Sequence, residues 1–161
     1  MRITGGVHRG RIIRVPDGLE VRPTQDRVRE ALFNIIQNEI KGARFLDVFA
    51  GSGAVGLEAM SRGASSVTFV ERNPRHIAFV RSNSALLKLA PEIVQADAYQ
   101  YLASFAGAPF DIVYADPPYA MGEENGFETM LKNLAERNVL KPDGLLIVET
   151  TFRVRMGDLP G

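Results

Sequence analysis

Hydrophobic and polar positions change rhythm twice along this chain. Between residues 2 and 16 the apolar runs are short and of β type, Arg2-Ile3-Thr4 and Arg11-Ile12-Ile13-Arg14-Val15, separated by Gly5-Gly6 and Gly10. Such punctuation predicts a small hairpin or arm. After Pro23 the period lengthens. Val28, Ala31, Leu32, Ile35, Ile36 and Ile40 recur at helical spacing, so a helix is expected over about 25–40, with Thr24 as N-cap, Asp26 in the first turn and Gly42 as the stop.

From residue 45 onward compact apolar runs alternate with amphipathic stretches. Strands are expected at 45–49, 67–71, 93–96, 110–115 and 144–150, with a glycine-rich turn entering a helix over 51–62 and helices at 74–89, 99–105 and 124–137 between them. The last helix puts Phe127, Met130, Leu131 and Leu134 on one face, and Tyr99, Tyr101, Phe105 and Phe110 read as core aromatics. Apolar strands each followed by a helix belong to a parallel sheet covered on both faces. The expected fold is therefore α/β, a doubly wound, mainly parallel, Rossmann-like sheet in a single domain. Residues 1–22 would form a basic arm and 23–161 the core. In such a sheet the order reverses between the first and fourth strands, so the loops after them open onto one crevice. Eleven residues follow the fifth strand, too few for two further strands.

Charge adds an asymmetry to this plan. The 19 Lys and Arg balance the 19 Asp and Glu, but residues 1–44 hold nine basic against five acidic side chains and the rest ten against fourteen. Nucleic-acid contact is therefore expected at the N-terminal end, through Arg2, Arg9, Arg11 and Arg14 of the arm. The absence of cysteine excludes a disulfide scaffold, thiolate-held zinc and a thiol nucleophile. His8 and His76 have no partners at ligand spacing, and no metal is expected. The start lacks a signal-peptide core and no apolar run approaches bilayer length, so a cytoplasmic protein is expected.

Two loops carry candidate chemistry. Asp47-Val48-Phe49-Ala50-Gly51-Ser52-Gly53-Ala54-Val55-Gly56 joins the first strand to its helix and contains G-x-G-x-x-G in the right context. Glu71, closing the second strand, stands where a carboxylate accepts both hydroxyls of a ribose. These features fit a nicotinamide dinucleotide or S-adenosylmethionine. Asp47 favours the latter, because a carboxylate there can hold an ammonium and would repel a pyrophosphate. The second loop, Asp116-Pro117-Pro118-Tyr119, follows the fourth strand. Its prolines remove two N–H donors, leaving a carboxylate and carbonyls as acceptors suited to a planar exocyclic amine. Tyr119 offers a flat face on which a base can stack.

Asp47 to Gly56, Glu71, Asp97-Ala98 and Asp116 to Tyr119 resemble the ordered motifs of class I S-adenosylmethionine-dependent amino-methyltransferases. More narrowly, Thr24 to Asn34, with the leader Arg2 to Gly6 and Gly10-Arg11, resembles the RsmD family of bacterial 16S ribosomal RNA guanine-N2 methyltransferases. The resemblance implies that Glu71 holds the cofactor ribose, Asp97 the adenine amine with the Ala98 backbone beside it, and Asp47, Gly51 and Gly53 the methionine end. Thr24 and Arg27 would close over that end. Asp116, Pro117, Pro118 and Tyr119 would position the guanine, and the arm would dock on RNA phosphates of the small ribosomal subunit. It also implies a further antiparallel pair of strands that this chain lacks. Other readings stay open: an adenine-N6 methyltransferase on DNA or RNA, a cofactor-binding module that only binds ribosomal RNA, and a dinucleotide oxidoreductase.

Overall fold

A computed structural model describes residues 1–17, 23–117 and 124–149. The elements run α1 (Pro23–Ile35), α2 (Gln37–Ile40), β1 (Arg44–Val48), α3 (Ala54–Ser61), β2 (Ser66–Glu71) and α4 (Pro74–Leu86). They continue β3 (Glu92–Gln95), α5 (Ala98–Ala103), β4 (Phe110–Ala115), α6 (Glu124–Glu136) and β5 (Leu140–Val148). The five strands form one sheet in the order β3-β2-β1-β4-β5, every neighbouring pair parallel. The order turns between β1 and β4, as the alternation of runs predicts. The expectation about residues beyond β5 lies outside the described residues.

Period-two alternation distributes the strands between two cores. Phe45, Phe69, Ile112 and Tyr114 face one side, where they meet Phe33, Leu57 and Val80. Leu46, Val48, Val70 and Val113 face the other, against Leu102, Met130 and Leu134. Both faces of the sheet are dry, which explains why β1, β2 and β4 read as continuous apolar runs.

The N-terminal residues fold back as a hairpin, with Ile3 N–H donating to Arg11 O at 2.9 Å and Ile13 N–H to Met1 O at 2.8 Å. Ile3 and Ile13 are both buried in the first core. Asn83 of α4 clips the end of this segment, accepting from Arg14 N–H at 3.0 Å and donating to its carbonyl at 2.9 Å. The segment is thus part of the packed body.

Four expectations need correction. Thr24 is not an N-cap, because α1 begins one residue earlier at Pro23, whose missing N–H suits the first helical position. The helix expected to about 40 breaks at Ile36. The break lets Ile36 and Ile40 both enter the core while Ile35 stays 79% exposed. The helix's inner face is consequently Arg29, Phe33 and Ile36, and Val28 is exposed. In α6, Met130 and Leu134 are buried, but Leu131 has turned outward. Finally, β5 starts at Leu140 rather than 144. Lys141-Pro142-Asp143-Gly144 reads as a turn yet sits in a strand irregularity, where the register jumps from Phe110↔Leu140 to Ile112↔Leu145. As the outermost strand among the described residues, β5 tolerates a proline that a central strand would not.

Candidate active site

A cavity of about 590 Å³ opens at the carboxyl ends of β1, β4 and β5, where the strand order turns. Asp47, Phe49, Gly51 and Ser52 form one wall, Tyr114, Asp116 and Glu149 another, and Val28, Arg29 and Leu32 of α1 a third.

The glycine loop is shaped by backbone that side chains resist. Gly51 has φ 58° and Gly53 φ 88°, and a Cβ on Gly51 would meet nothing within 4 Å, so open space lies over it. Gly56 serves packing instead, since a Cβ there would lie 2.3 Å from the Phe69 ring. Phe49 also takes a left-handed conformation, φ 66°, a placement worth about 1–3 kcal/mol of strain in a bulky residue. Its ring stands edge-on to Tyr99 at 5.7 Å.

Asp47 is buried at the base of this loop and accepts the Gly56 N–H at 3.1 Å. Burial pushes its carboxyl well above the usual range, the Gly56 bond opposes this, and Asp116, Glu71 and Glu149 add to the rise. Glu71 reaches over from the end of β2, accepting from Gly51 N–H at 2.9 Å and Asn73 N–H at 2.8 Å, with His76 Nδ1 at 3.6 Å. The expected ribose carboxylate and the expected glycine loop are therefore joined directly. Asp97 Oδ2 caps α5 by accepting from Gln100 N–H at 3.0 Å, and Ala98 is buried beside it.

Across the cavity, Asp116 is exposed and its carboxyl is pushed up to about 6, first by partial loss of water and then by Glu149. Tyr114 is buried, and burial followed by Glu149, Asp116 and Asp47 raises its hydroxyl. Pro117 is buried; Pro118 and Tyr119 lie outside the described residues, as does the Thr24 side chain. Arg27 is exposed on α1. Arg2, Arg9, Arg11 and Arg14 are all exposed on the hairpin segment, Arg11 donating to the Leu86 carbonyl at 3.1 Å near the end of α4.

Phe49, Arg29, Tyr114 and Glu149 were not singled out by sequence reasoning. A signal existed for Glu149, an acid closing a parallel strand next to the one that ends in Asp116; for Phe49 nothing in the pattern marks a left-handed residue. Among the described residues of the wall, acidic side chains outnumber cationic ones. Arg29 is the cationic side chain on the cavity wall among the described residues, and it already pairs with Glu58 at 2.9 Å and Asp26 at 3.0 Å. Such a wall suits a positively charged ligand.

A Rossmann-like sheet with a glycine loop, a carboxylate closing the second strand and an acid at the switch point belongs to the class of nucleotide-cofactor proteins. Comparison with known proteins narrows the class. The family model described as conserved hypothetical protein 95 matches residues 1–161. The ribosomal RNA small subunit methyltransferase D of Escherichia coli is 41% identical over 161 residues, covering 99% of this chain and 79% of that protein. A solved Escherichia coli chain superposes with TM-score 0.82 at 41% identity, covering 92% of this chain and 79% of that one. A 16S rRNA N2-guanine methyltransferase of T. thermophilus, solved with AdoMet and guanosine, gives TM-score 0.65 at 25% identity, over 83% of this chain and 36% of that one. The chain belongs to the ribosomal RNA small subunit methyltransferase D family.

Proposed function

We propose that this protein moves a methyl group from S-adenosylmethionine to the exocyclic N2 of a guanine in small-subunit ribosomal RNA. The observation that carries this reading is the placement of Asp116 across one cavity from the Gly51 loop and Asp47. Family membership supports the substrate class.

The residues present fit the cofactor. Gly51 leaves space for close approach, and the acidic walls suit a ligand bearing an ammonium and a sulfonium. Asp47 and the Gly51–Gly53 backbone would hold its methionine end, with Thr24 and Arg27 closing over it. Glu71 would take the ribose, and Asp97, whose second oxygen is left by the helix cap, the adenine amine. Bound S-adenosylmethionine supplies an activated methyl on sulfur, so no metal is needed for transfer.

Asp116 accepts a hydrogen of the target amine. This turns the nitrogen lone pair out of conjugation with the ring and toward the methyl. S-adenosylmethionine, when bound, would supply the methyl for the new N–C bond, with the electron pair of the S–C bond left on sulfur. The surplus proton on nitrogen passes to Asp116 or to water; a carboxyl raised to about 6 is a better proton acceptor than an ordinary aspartate. Pro117 stiffens the loop, and Pro118 and Tyr119 would complete it, Tyr119 stacking on a base lifted from its neighbours. Arg2, Arg9, Arg11 and Arg14 would dock on phosphates.

Transfer of labelled methyl to unmodified small ribosomal subunits, free ribosomal RNA and DNA, read by nucleoside mass spectrometry, tests the proposal. N2-methylguanosine in the ribosomal samples is expected. N6-methyladenine in any of them would overturn the choice of base.

A further inference from the structure

Glu149 stands at the end of β5, directly across from the Asp116 loop. Ala115 and Val148 are the last register partners of β4 and β5, and Glu149 N–H donates to Ala115 O at 3.0 Å. The pairing thus runs one step past the strands and sets Asp116 beside Glu149, on chains spaced about 4.8 Å apart. Both line the cavity. Glu149 faces Tyr114 and Asp116 from β4 and Asp47 from β1, while Arg29 of α1 is held by Glu58 and Asp26. Two adjacent carboxylates on the cavity wall, Glu149 also accepting from the Tyr114 hydroxyl, keep further acceptor capacity and match a ligand edge that presents adjacent donors.

We infer that Glu149 is a second base-reading carboxylate, accepting the N1–H of the target guanine while Asp116 accepts from its N2 amine. The inference rests on the guanine reading above. Guanine offers N1–H and N2–H side by side. Adenine places a lone pair at N1 next to its N6 amine, and that lone pair would face Glu149 acceptor to acceptor. An acid followed by two prolines serves either amine; the partner acid on β5 selects guanine. The negative charge of Glu149 also keeps Asp116 receptive to the proton released from N2.

The test compares the wild type with Glu149→Gln on unmodified small subunits over pH 5–9, with nucleoside mass spectrometry and calorimetric binding of S-adenosylhomocysteine alongside. Glutamine loses the charge and gains a donor that adenine N1 can accept. Turnover on guanine, as kcat/KM, should fall about 10- to 100-fold, and the share of N6-methyladenosine should rise. Binding of S-adenosylhomocysteine, which lacks the sulfonium charge, should fall far less than turnover. The acid limb of kcat/KM should move to lower pH, a shift that a purely structural role would not produce. Glu149→Asp keeps the charge but withdraws it, so the limb should stay in place while guanine turnover drops; this variant decides the matter where Gln fails to fold. A variant with wild-type turnover and pH profile, or one losing turnover and cofactor binding together, overturns the inference. N6-methyladenosine from the wild type would instead overturn the guanine reading itself.

Discussion

Glu58 and Asp116 are two carboxylates whose surroundings drive them in opposite directions. Glu58 is wholly buried on α3 and accepts from Thr4 N–H and Arg29 Nε at 2.9 Å, from Gly5 N–H at 3.0 Å and from Arg62 Nε at 2.9 Å. Burial alone would raise its pKa, but hydrogen bonds from Arg62, Thr4 and Arg29 outweigh it and the carboxyl sits below its usual range. Asp116 opens onto the cavity, faces Glu149, and is raised to about 6. One acid is saturated with donors and ties the hairpin to α1 and α3; the other has no donor among the described residues. An acid with its partners built in serves the structure, and an acid held near others without them awaits a ligand.

The largest effect should come from breaking the saturated cluster. Glu58→Ala leaves Arg29 and Arg62 without their shared acceptor and frees the Thr4 and Gly5 amides, so a loss of about 3–5 kcal/mol in unfolding free energy is expected. Urea titration measures it. A loss below about 1 kcal/mol would mean that the cluster is no better than a surface ion pair. Because the folded pKa is lowered, the stability Glu58 contributes is present above its unfolded value of about 4.3 and is lost as pH falls through the folded value.

Next comes the unsaturated acid. Asp116→Ala should lower kcat by about 100- to 1000-fold, the scale of losing one well-placed polar group in a transition state. Calorimetric affinity for S-adenosylhomocysteine should persist. Equal loss of both would place Asp116 in the cofactor site and remove the contrast with Glu58.

That contrast was half legible in the residues. The Gly51, Gly53 and Gly56 spacing, Glu71 and the Asp116-Pro117 step are local signals. They could be placed because strand alternation fixes which loops share a crevice. Glu58 gave no such signal. In its helix it is the one charged residue, and its partners at positions 4, 5 and 29 come together only in the folded chain. Glu149 was hidden for a related reason, since its meaning depends on the β4–β5 register, and the jump between Leu140 and Leu145 obscured where that strand begins. On α1 the apolar periodicity pointed to a face including Val28 and Ile35, while the buried face contains Arg29; a charged residue with a buried partner overrides the hydrophobic pattern.

A smaller effect belongs to the hairpin surface that Glu58 anchors. Arg9, Arg11 and Arg14 changed together to Ala should raise KM for the small subunit about tenfold and reduce the slope of log affinity against log salt by about one for each phosphate no longer neutralised. Cofactor affinity should not change. An unaltered KM would show that the Glu58 cluster exists to hold the chain together and that the hairpin arginines are only a solvated surface.

The finest test uses stability rather than turnover. Asp116 carries a folded pKa of about 6 against an unfolded value of about 3.9, so folding favours its protonated form. The corresponding stability is fully present below the unfolded value and is lost as pH rises through the folded one. Solvent access screens this to on the order of 1 kcal/mol or less. Asp116→Asn removes the charge and should melt slightly above the wild type at pH 8 while matching it at pH 4, although its methyl transfer is impaired. An Asn variant that melts below the wild type at pH 8 would show that Asp116 is satisfied as Glu58 is. The two carboxylates would then differ only in burial, and the case for a waiting acid would fall with the difference.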